Sequence, residues 1–214
     1  MKSLNTIALE CGTDKATSTH GFTKTYERYF ESIRHLPFTL LEIGVAAGGS
    51  LKMWREYFPN AKVYGIDNNP DCANYGEGIF IGNQNDLGFL DSVLEKIGAP
   101  NIIIDDGSHY GPDMIKTFDY LFPKMAPKGI YVVEDFHCAY DKTYGEAPPY
   151  GEGMSAVWNF FSYLAVDIDV HGRGMCGDKQ FAIDHPSEVP PVPTYARLIE
   201  AMHIHTSLRI IERR

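Results

Sequence analysis

The first 140 residues alternate between short, nearly continuous apolar runs and longer segments with helical periodicity. The apolar runs have the length and the β-branched content of buried strands. They are the segments 38–44, 61–67, 78–82, 101–105 and 129–135. Strands that are apolar on both faces are typical of a parallel sheet covered by helices on both sides. The pattern therefore predicts an α/β fold.

Helical segments precede and separate these strands. From Phe22 onward the apolar residues recur at the spacing of one helical face, and the same spacing recurs around Trp54, Leu90, Phe118 and Phe161. The end of the chain, 198–214, is predicted to form two further strands, the second covering 208–212.

The composition changes after the fifth predicted strand. The segment 136–153 is rich in Gly, Pro and Tyr, and the proline-rich stretch 185–194 is predicted to be loop. A long connection after a sheet strand is typical of a lid or binding element over the strand ends. We therefore expect one domain, 1–214, that carries an acceptor-binding insertion at 136–195.

Charge and cysteine content limit the classes of partner. The chain has 214 residues and a net charge of −9 that is spread along it, which disfavours nucleic-acid binding and favours a small-molecule partner. Its four cysteines form no CxxC pair, its first 15 residues lack the continuous apolar core of a signal peptide, and no apolar run of about 18 residues occurs. We expect reduced thiols, no membrane partner and a cytoplasmic location.

Polar or small residues follow each of the five predicted strands, at the edge where open α/β sheets bind ligands. The loop 42–50 is glycine-rich and lets backbone approach a ligand closely, and Asp67 stands where an acidic side chain accepts ribose hydroxyls. The dinucleotide fingerprint would require glycine at position 46, which is Ala46. Glu42, two residues before Gly44, suits a cationic cofactor, so S-adenosylmethionine fits better than NAD.

Seven ordered motifs carry a resemblance to a known family. They are GTDK (12–15), YERYF (26–30), LLEIGVAAGGSLKMW (40–54), YGID (64–67), GNQND (82–86), IIDDGSH (103–109) and YVVEDFHCAY (131–140). Together they resemble the sugar O-methyltransferases of macrolide biosynthesis, of the mycinamicin and macrocin type, and more distantly the cephalosporin-hydroxylase-like methyltransferases. The resemblance covers about residues 10–140 and the last strand pair. It implies a Rossmann-like class I fold with seven strands, the last antiparallel, together with magnesium dependence and a homo-oligomer.

The resemblance also implies roles in cofactor binding. The loop around Gly44 and Ser50 would hold the methionine part of S-adenosylmethionine, and Asp67 would hold the ribose. The residues that would complete the cofactor site are Thr13 and Lys15, which would help to close it, and Asn83 and Gln84, which would hold the adenine. Position 83 is Asn where the family commonly has Asp, which makes that contact less specific.

The acidic strand ends suggest how a sugar hydroxyl is activated. Asp106 and Asp135 follow neighbouring strands and supply two oxygen ligands of the kind Mg²⁺ prefers. The resemblance implies Glu27 as the third ligand, with Glu134 as its competitor. Asp106 and His109 are the predicted catalytic residues, His109 as general base.

Three assignments stay open at this point. Asp105 either faces the cofactor or caps the next helix, while His137 and Tyr140 either contact the substrate or hold the loop in place.

The alternative to a methyltransferase is a cofactor-binding regulator or scaffold that has lost the ability to transfer the methyl group. A nicotinamide enzyme has less support, and a serine hydrolase less still, since Ser108 does not lie in a G-x-S-x-G motif.

Overall fold

The computed structural model describes residues 1–144, 155–175 and 197–214. The helices within these ranges are α1 (Leu4–Cys11), α2 (Thr23–Phe30), α3 (Gly49–Tyr57), α4 (Leu87–Ile97), α5 (Gly111–Leu121) and α6 (Ala156–Met175). The strands are β1 (Thr39–Ile43), β2 (Lys62–Asp67), β3 (Ile79–Ile81), β4 (Ile102–Asp105), β5 (Ile130–Val133), β6 (Ile199–His205) and β7 (Leu208–Arg213). The loop predicted at 185–194 lies outside the described residues.

The strands form one seven-stranded sheet in the order β3-β2-β1-β4-β5-β7-β6. Strands β1 to β5 are parallel, and β7 runs antiparallel to both of its neighbours, β5 and β6. The chain leaves β1 in one direction towards β2 and β3 and later returns to its other side at β4. The strand order therefore reverses between β1 and β4, which is where sheets of this kind bind ligands. The predicted α/β fold with an antiparallel last strand is confirmed.

Side chains on successive strand residues enter two different cores. Leu40, Ile104 and Val132 pack in the core beneath α1, α2 and α3, whereas Leu41 and Ile103 pack in the core beneath α4, α5 and α6. This alternation follows from the pleat of a strand, which directs neighbouring side chains to opposite faces. The same alternation determines which of the acidic residues at the strand ends meet one another.

Helix α1 lies outside the predicted elements. At the start of α1 the Ser3 hydroxyl accepts a hydrogen bond from the Thr6 N–H, and Gly12 ends the helix in the left-handed conformation with φ 68°.

None of the helices in the described part of the chain is long and apolar enough to cross a membrane.

Candidate active site

A cleft runs across the carboxyl ends of β1, β2 and β4 and consists of two adjoining pockets that meet at Gly44. The first pocket is lined by residues that include Asp67, Asn83, Gln84 and Ser108. The second is lined by residues that include Thr13, Ala46, Ser50 and Asp106. The structure thus brings most of the predicted cofactor residues to one continuous cleft.

Gly44 permits β1 and β4 to approach one another at the bottom of this cleft. Its φ is +92°, a conformation that L residues rarely adopt, and a Cβ there would strike the backbone carbonyl oxygen of Asp106. A side chain at position 44 would therefore fill the cleft and displace the end of β4.

Asp67 holds the glycine-rich loop in place. Its Oδ2 accepts hydrogen bonds from the N–H groups of Val45 (2.8 Å) and Ala46 (3.1 Å), and its Oδ1 accepts one from Asn69 (2.8 Å). Partial burial acts to raise the pKa of Asp67, but these donors outweigh burial and leave the pKa below its usual value. Asp67 is thus held as a carboxylate at the edge of the first pocket.

Gln84 and Asp105 form a buried polar network behind the first pocket. The Gln84 amide nitrogen donates to Asp105 Oδ1 (3.2 Å) and its oxygen accepts from the Ser108 N–H (2.8 Å). Tyr131 donates to Asp105 Oδ2 (3.1 Å), and burial raises the pKa of Asp105 to about 7. Asp105 therefore neither faces the cleft nor caps α5, whose N-cap is Tyr110. Its predicted contact with the cofactor is not supported by this placement.

Glu42 lies beneath the glycine-rich loop rather than in the cleft. It is fully buried, and it accepts hydrogen bonds from Ser50 Oγ (2.8 Å) and Trp54 Nε1 (3.3 Å). Both donors belong to α3, so Glu42 fixes the first turns of the helix whose N-terminus borders the cleft. Ser50 itself does line the cleft.

Asp106, His109 and Asp135 form a second feature at the end of the cleft, which we call the outer cluster. His109 Nε2 lies 3.9 Å from Asp106 Oδ1 and 3.8 Å from Asp135 Oδ2. Ligand atoms of these three residues lie within 4.8 Å of one another. The predicted base and two predicted metal ligands are therefore together, as the sequence led us to expect.

The outer cluster has features of a site built for a ligand. His109 and Asp135 adopt left-handed φ angles of 53° and 48°, a conformation that is uncommon for non-glycine residues and that occurs often at ligand sites. Asp135 Oδ1 is buried and has no hydrogen-bond partner among the described residues. An unpartnered buried carboxylate oxygen is costly unless a cation or donor approaches it. Two carboxylates with room for further oxygen ligands fit Mg²⁺.

Lys15, Glu42, Asp106 and Glu134 form a buried inner cluster directly behind the outer one. Lys15 Nζ lies 2.5 Å from Asp106 Oδ2, 2.8 Å from Glu134 Oε2 and 3.5 Å from Glu42 Oε1. Burial acts to lower the pKa of Lys15, but the attraction of the three carboxylates outweighs it and raises that pKa well above its usual value. Lys15 is fully buried and does not line the cleft. Its predicted cofactor contact is therefore not supported.

Glu27, the predicted third metal ligand, is not brought to the site. Its Oε1 accepts a hydrogen bond from the Leu4 N–H (2.7 Å) at the start of α1. Tyr26 and Phe30 face the core, and Glu27, one residue beyond Tyr26, is rotated away from that face. The competitor Glu134 is close to Asp106, but it faces Lys15 and Tyr26 rather than the cleft. Glu27 therefore lies apart from the outer cluster, whereas Glu134 adjoins it through Asp106 and stays the predicted third ligand.

Three further side chains border the outer cluster or the segment that follows it. His137 Nδ1 lies 2.6 Å from Ser207 Oγ and 3.8 Å from Asp135 Oδ1, whereas Tyr140 is partly exposed at the end of the same short 3₁₀ helix. His20, which the sequence analysis did not identify, lies 4.0 Å from Asp135 Oδ1 through Nδ1. Nothing in its local sequence marks His20, because only the fold brings it to Asp135.

The sheet order, the antiparallel β7 and the ligand cleft at the strand ends define the class I methyltransferase fold. No protein-family model matches the chain. Among curated proteins, it is 33% identical over 221 residues to the 8-demethyl-8-(2-methoxy-alpha-L-rhamnosyl)-tetracenomycin-C 3'-O-methyltransferase of Streptomyces olivaceus, covering 98% of this chain and 53% of that protein. It is 38% identical over 210 residues to the mycinamicin VI 2''-O-methyltransferase of Micromonospora griseorubida, covering 91% of this chain and 48% of that protein.

A solved structure agrees with these relatives. The MycE methyltransferase of the mycinamycin pathway, in complex with Mg, SAH and mycinamycin VI, superimposes with a TM-score of 0.82 at 29% identity, covering 99% of this chain and 53% of that one. The chain is thus homologous, over nearly all of its length, to the sugar O-methyltransferases of macrolide and related polyketide biosynthesis, which confirms the resemblance seen in the sequence. It spans about half the length of the curated relatives it matches.

Proposed function

We propose that this chain transfers a methyl group from S-adenosylmethionine to a sugar hydroxyl of a glycosylated natural product, with Mg²⁺ bound at the outer cluster. The observation that carries the proposal is that Asp106 both lines the second pocket of the cleft and belongs to the outer cluster. A cofactor lying along the cleft would have its reactive end beside His109 and the two carboxylates. The relatives that methylate rhamnosyl and mycinamicin acceptors supply the acceptor class.

The cleft residues account for cofactor binding in this proposal. Asp67 would accept the ribose hydroxyls, and Asn83 would contact the adenine from the rim of the first pocket. Thr13 and Ser50 line the second pocket and would hold the methionine part. Gln84 contributes indirectly, because its hydrogen bonds fix Asp105 and the backbone of Ser108.

The outer cluster supplies the chemistry. When bound, S-adenosylmethionine would supply the electrophilic methyl group, and Asp106 and Asp135 would hold Mg²⁺, which would supply stabilisation of negative charge on the acceptor oxygen. His109 Nε2 accepts the hydroxyl proton as the new oxygen–carbon bond forms and the sulfur–carbon bond breaks, leaving S-adenosylhomocysteine. Because the side chains of His109 and Asp135 are mostly buried, the acceptor hydroxyl reacts in a sheltered site. Positioning the hydroxyl beside both groups accounts for much of the rate.

A transfer assay tests the proposal. The chain is incubated with methyl-labelled S-adenosylmethionine, Mg²⁺ and a panel of rhamnosylated polyketides and mycinamicin-type macrolides. We expect the label to appear on a sugar hydroxyl, to be lost in EDTA and to be restored by Mg²⁺. Binding of the cofactor without transfer to any acceptor would instead favour a regulator or scaffold. Methyl transfer that persists unchanged in EDTA would contradict a role for Mg²⁺ in the reaction.

A further inference from the structure

We propose that His20 is an acceptor-binding residue, which forms a hydrogen bond with a hydroxyl of the acceptor sugar other than the one that is methylated. The inference rests on the proposed function, because it concerns the acceptor of the same reaction. It adds to that function a recognition element on the loop between α1 and α2, outside the strand ends that carry the outer cluster.

His20 lies where the cofactor cleft and the outer cluster meet. Its loop begins at the second pocket, whose lining includes Gly12, Thr13 and Asp14. His20 Nε2 lies 3.8 Å from Asp14 Oδ2, and His20 Nδ1 lies 4.0 Å from Asp135 Oδ1. The imidazole thus stands between the pocket assigned to the methionine part of the cofactor and the cluster assigned to the acceptor hydroxyl. An acceptor that reaches the methyl group has to lie beside it.

The imidazole of His20 is held in place, but its ring nitrogens are not engaged. The His20 N–H donates to the Asp14 carbonyl oxygen (2.9 Å), and the ring stacks on Phe22 with 5.2 Å between the ring centroids. Within the described residues neither ring nitrogen forms a hydrogen bond, because the nearest carboxylate oxygens lie too far away. The side chain is 33% exposed, so a ligand can reach it.

The atom that His20 Nδ1 faces also lacks a partner. Asp135 Oδ1 is buried and accepts no hydrogen bond from the described residues. The 4.0 Å between the two atoms is too long for a direct hydrogen bond, but an oxygen atom beside the line that joins them lies within hydrogen-bond distance of both. A hydroxyl suits this position, because it can donate to the carboxylate and accept from the imidazole N–H. Metal binding by Asp135 is compatible with this contact, since Oδ2 lies on the side of His109.

His137 lies equally close to Asp135 Oδ1 but differs from His20 in its partners. Its Nδ1 lies 3.8 Å from that oxygen and 2.6 Å from Ser207 Oγ, in the turn between β6 and β7. The hydrogen bond to Ser207 engages the nitrogen that faces Asp135. Of these two imidazoles, His20 is therefore the one that presents an unengaged nitrogen, as judged from the described residues.

A comparison of acceptors tests the inference. The unaltered chain and His20→Phe are assayed with an acceptor that the unaltered chain methylates and with its monodeoxy analogues, each lacking one sugar hydroxyl other than the methylated one. We expect kcat/KM of the unaltered chain to fall at least tenfold for one analogue, because the site then keeps unpaired polar groups. In His20→Phe the complete acceptor and that analogue should have kcat/KM values within threefold of one another. The affinity of His20→Phe for S-adenosylhomocysteine should stay within threefold of that of the unaltered chain.

Two further variants separate the hydrogen bond from packing. His20→Asn keeps a polar group near the position of Nδ1, so it should retain at least a threefold preference for the complete acceptor. His35→Phe makes the same replacement as His20→Phe at an exposed histidine before the amino end of β1, away from the cleft. It should leave kcat/KM for each acceptor within twofold of the unaltered chain.

Each outcome supports or contradicts the inference. If His20→Phe discriminated between the acceptors as strongly as the unaltered chain does, the preference would belong to another group and the inference would be wrong. A preference lost as completely in His20→Asn as in His20→Phe would assign the effect to ring packing. Equal methylation of every analogue by the unaltered chain would also overturn the inference, and this result does not depend on whether a variant folds. If the unaltered chain methylated no acceptor, the proposed function would fail, and the inference with it.

Discussion

Asp105 and Asp106 are neighbours in the chain but lie in different surroundings. Asp105 continues the face of Ile103 and is buried against Gln84 and Tyr131. Asp106 lies on the opposite side, against Lys15. The alternation along β4 thus separates two adjacent carboxylates, so that one belongs to the protein interior and the other to the site.

The raised pKa of Asp105, about 7 against an ordinary value of 3.8, predicts a pH-dependent stability. Between these values the folded chain holds a proton that the unfolded chain has released, so stability falls as pH rises through this window. We expect this group to remove about 3 kcal/mol between pH 5 and pH 8. The free energy of unfolding, measured with urea at both pH values, should decline correspondingly less in Asp105→Asn than in the unaltered chain. An equal decline in both proteins would contradict the assignment, and Asp119→Asn on the exposed face of α5 is the control.

His109 is predicted to act on the acceptor rather than on the cofactor. His109→Gln keeps a polar side chain but removes the base, so kcat should fall at least a hundredfold, as is usual for loss of a general base. The dissociation constant of S-adenosylhomocysteine, measured by calorimetry, should stay within threefold. Undiminished turnover in this variant would rule out His109 as the base.

At the scale of the elements, the close approach of β1 and β4 at Gly44 forms the bottom of the cleft. Gly44→Ala combines a left-handed backbone with a collision against the Asp106 carbonyl, so we expect a loss of on the order of 1–3 kcal/mol in stability and at least tenfold weaker S-adenosylhomocysteine binding. Gly98→Ala is the matched control, since Gly98 has φ +77° and open space around its Cβ position. It should cost stability without weakening binding. Equal binding by both variants would contradict the role given to Gly44.

The elements also show what the sequence could and could not predict. Continuous apolar runs and helical spacing identified the strands and the helices α2 to α6, because burial sets those patterns directly. Helix α1, which is as long as α2, was missed because the exposed Leu9 directly follows the buried Ile7 and Ala8 and obscures the helical spacing of its apolar residues. Glu27 was wrongly placed at the site because the motif YERYF was matched as a string, whereas the helix directs Tyr26 inward and Glu27 towards Leu4.

Side-chain partners from distant parts of the chain were beyond sequence reasoning. Lys15 meets Glu134 across 119 positions, and His20 reaches Asp135 only through the fold. The outer cluster was predictable because Asp106, His109 and Asp135 all lie next to ends of adjacent parallel strands, which meet at one edge of the sheet. No such rule predicts from the sequence where residues in loops and helices will lie.

At the scale of the whole molecule, the sheet order places the cofactor cleft and the outer cluster at one edge of the sheet. The reversal between β1 and β4 opens the cofactor cleft, and the neighbouring end of β5 adds Asp135 beside it. The chain spans about half of its curated relatives, so acceptor choice in the whole protein remains part of the proposal. The homo-oligomer and the role of 136–195 in acceptor binding likewise remain predictions.

The most direct test of the account is the rate of methyl transfer by Asp135→Asn, at saturating S-adenosylmethionine and Mg²⁺, with a rhamnosylated acceptor that the unaltered chain methylates. Asp135 lines the outer cluster with a buried, unpartnered oxygen among the described residues and makes no contact with the cleft pockets that we assign to the cofactor. We predict a rate at least a hundredfold lower, with affinity for S-adenosylhomocysteine within threefold of the unaltered chain. A rate equal to that of the unaltered chain would contradict the outer cluster as the catalytic centre.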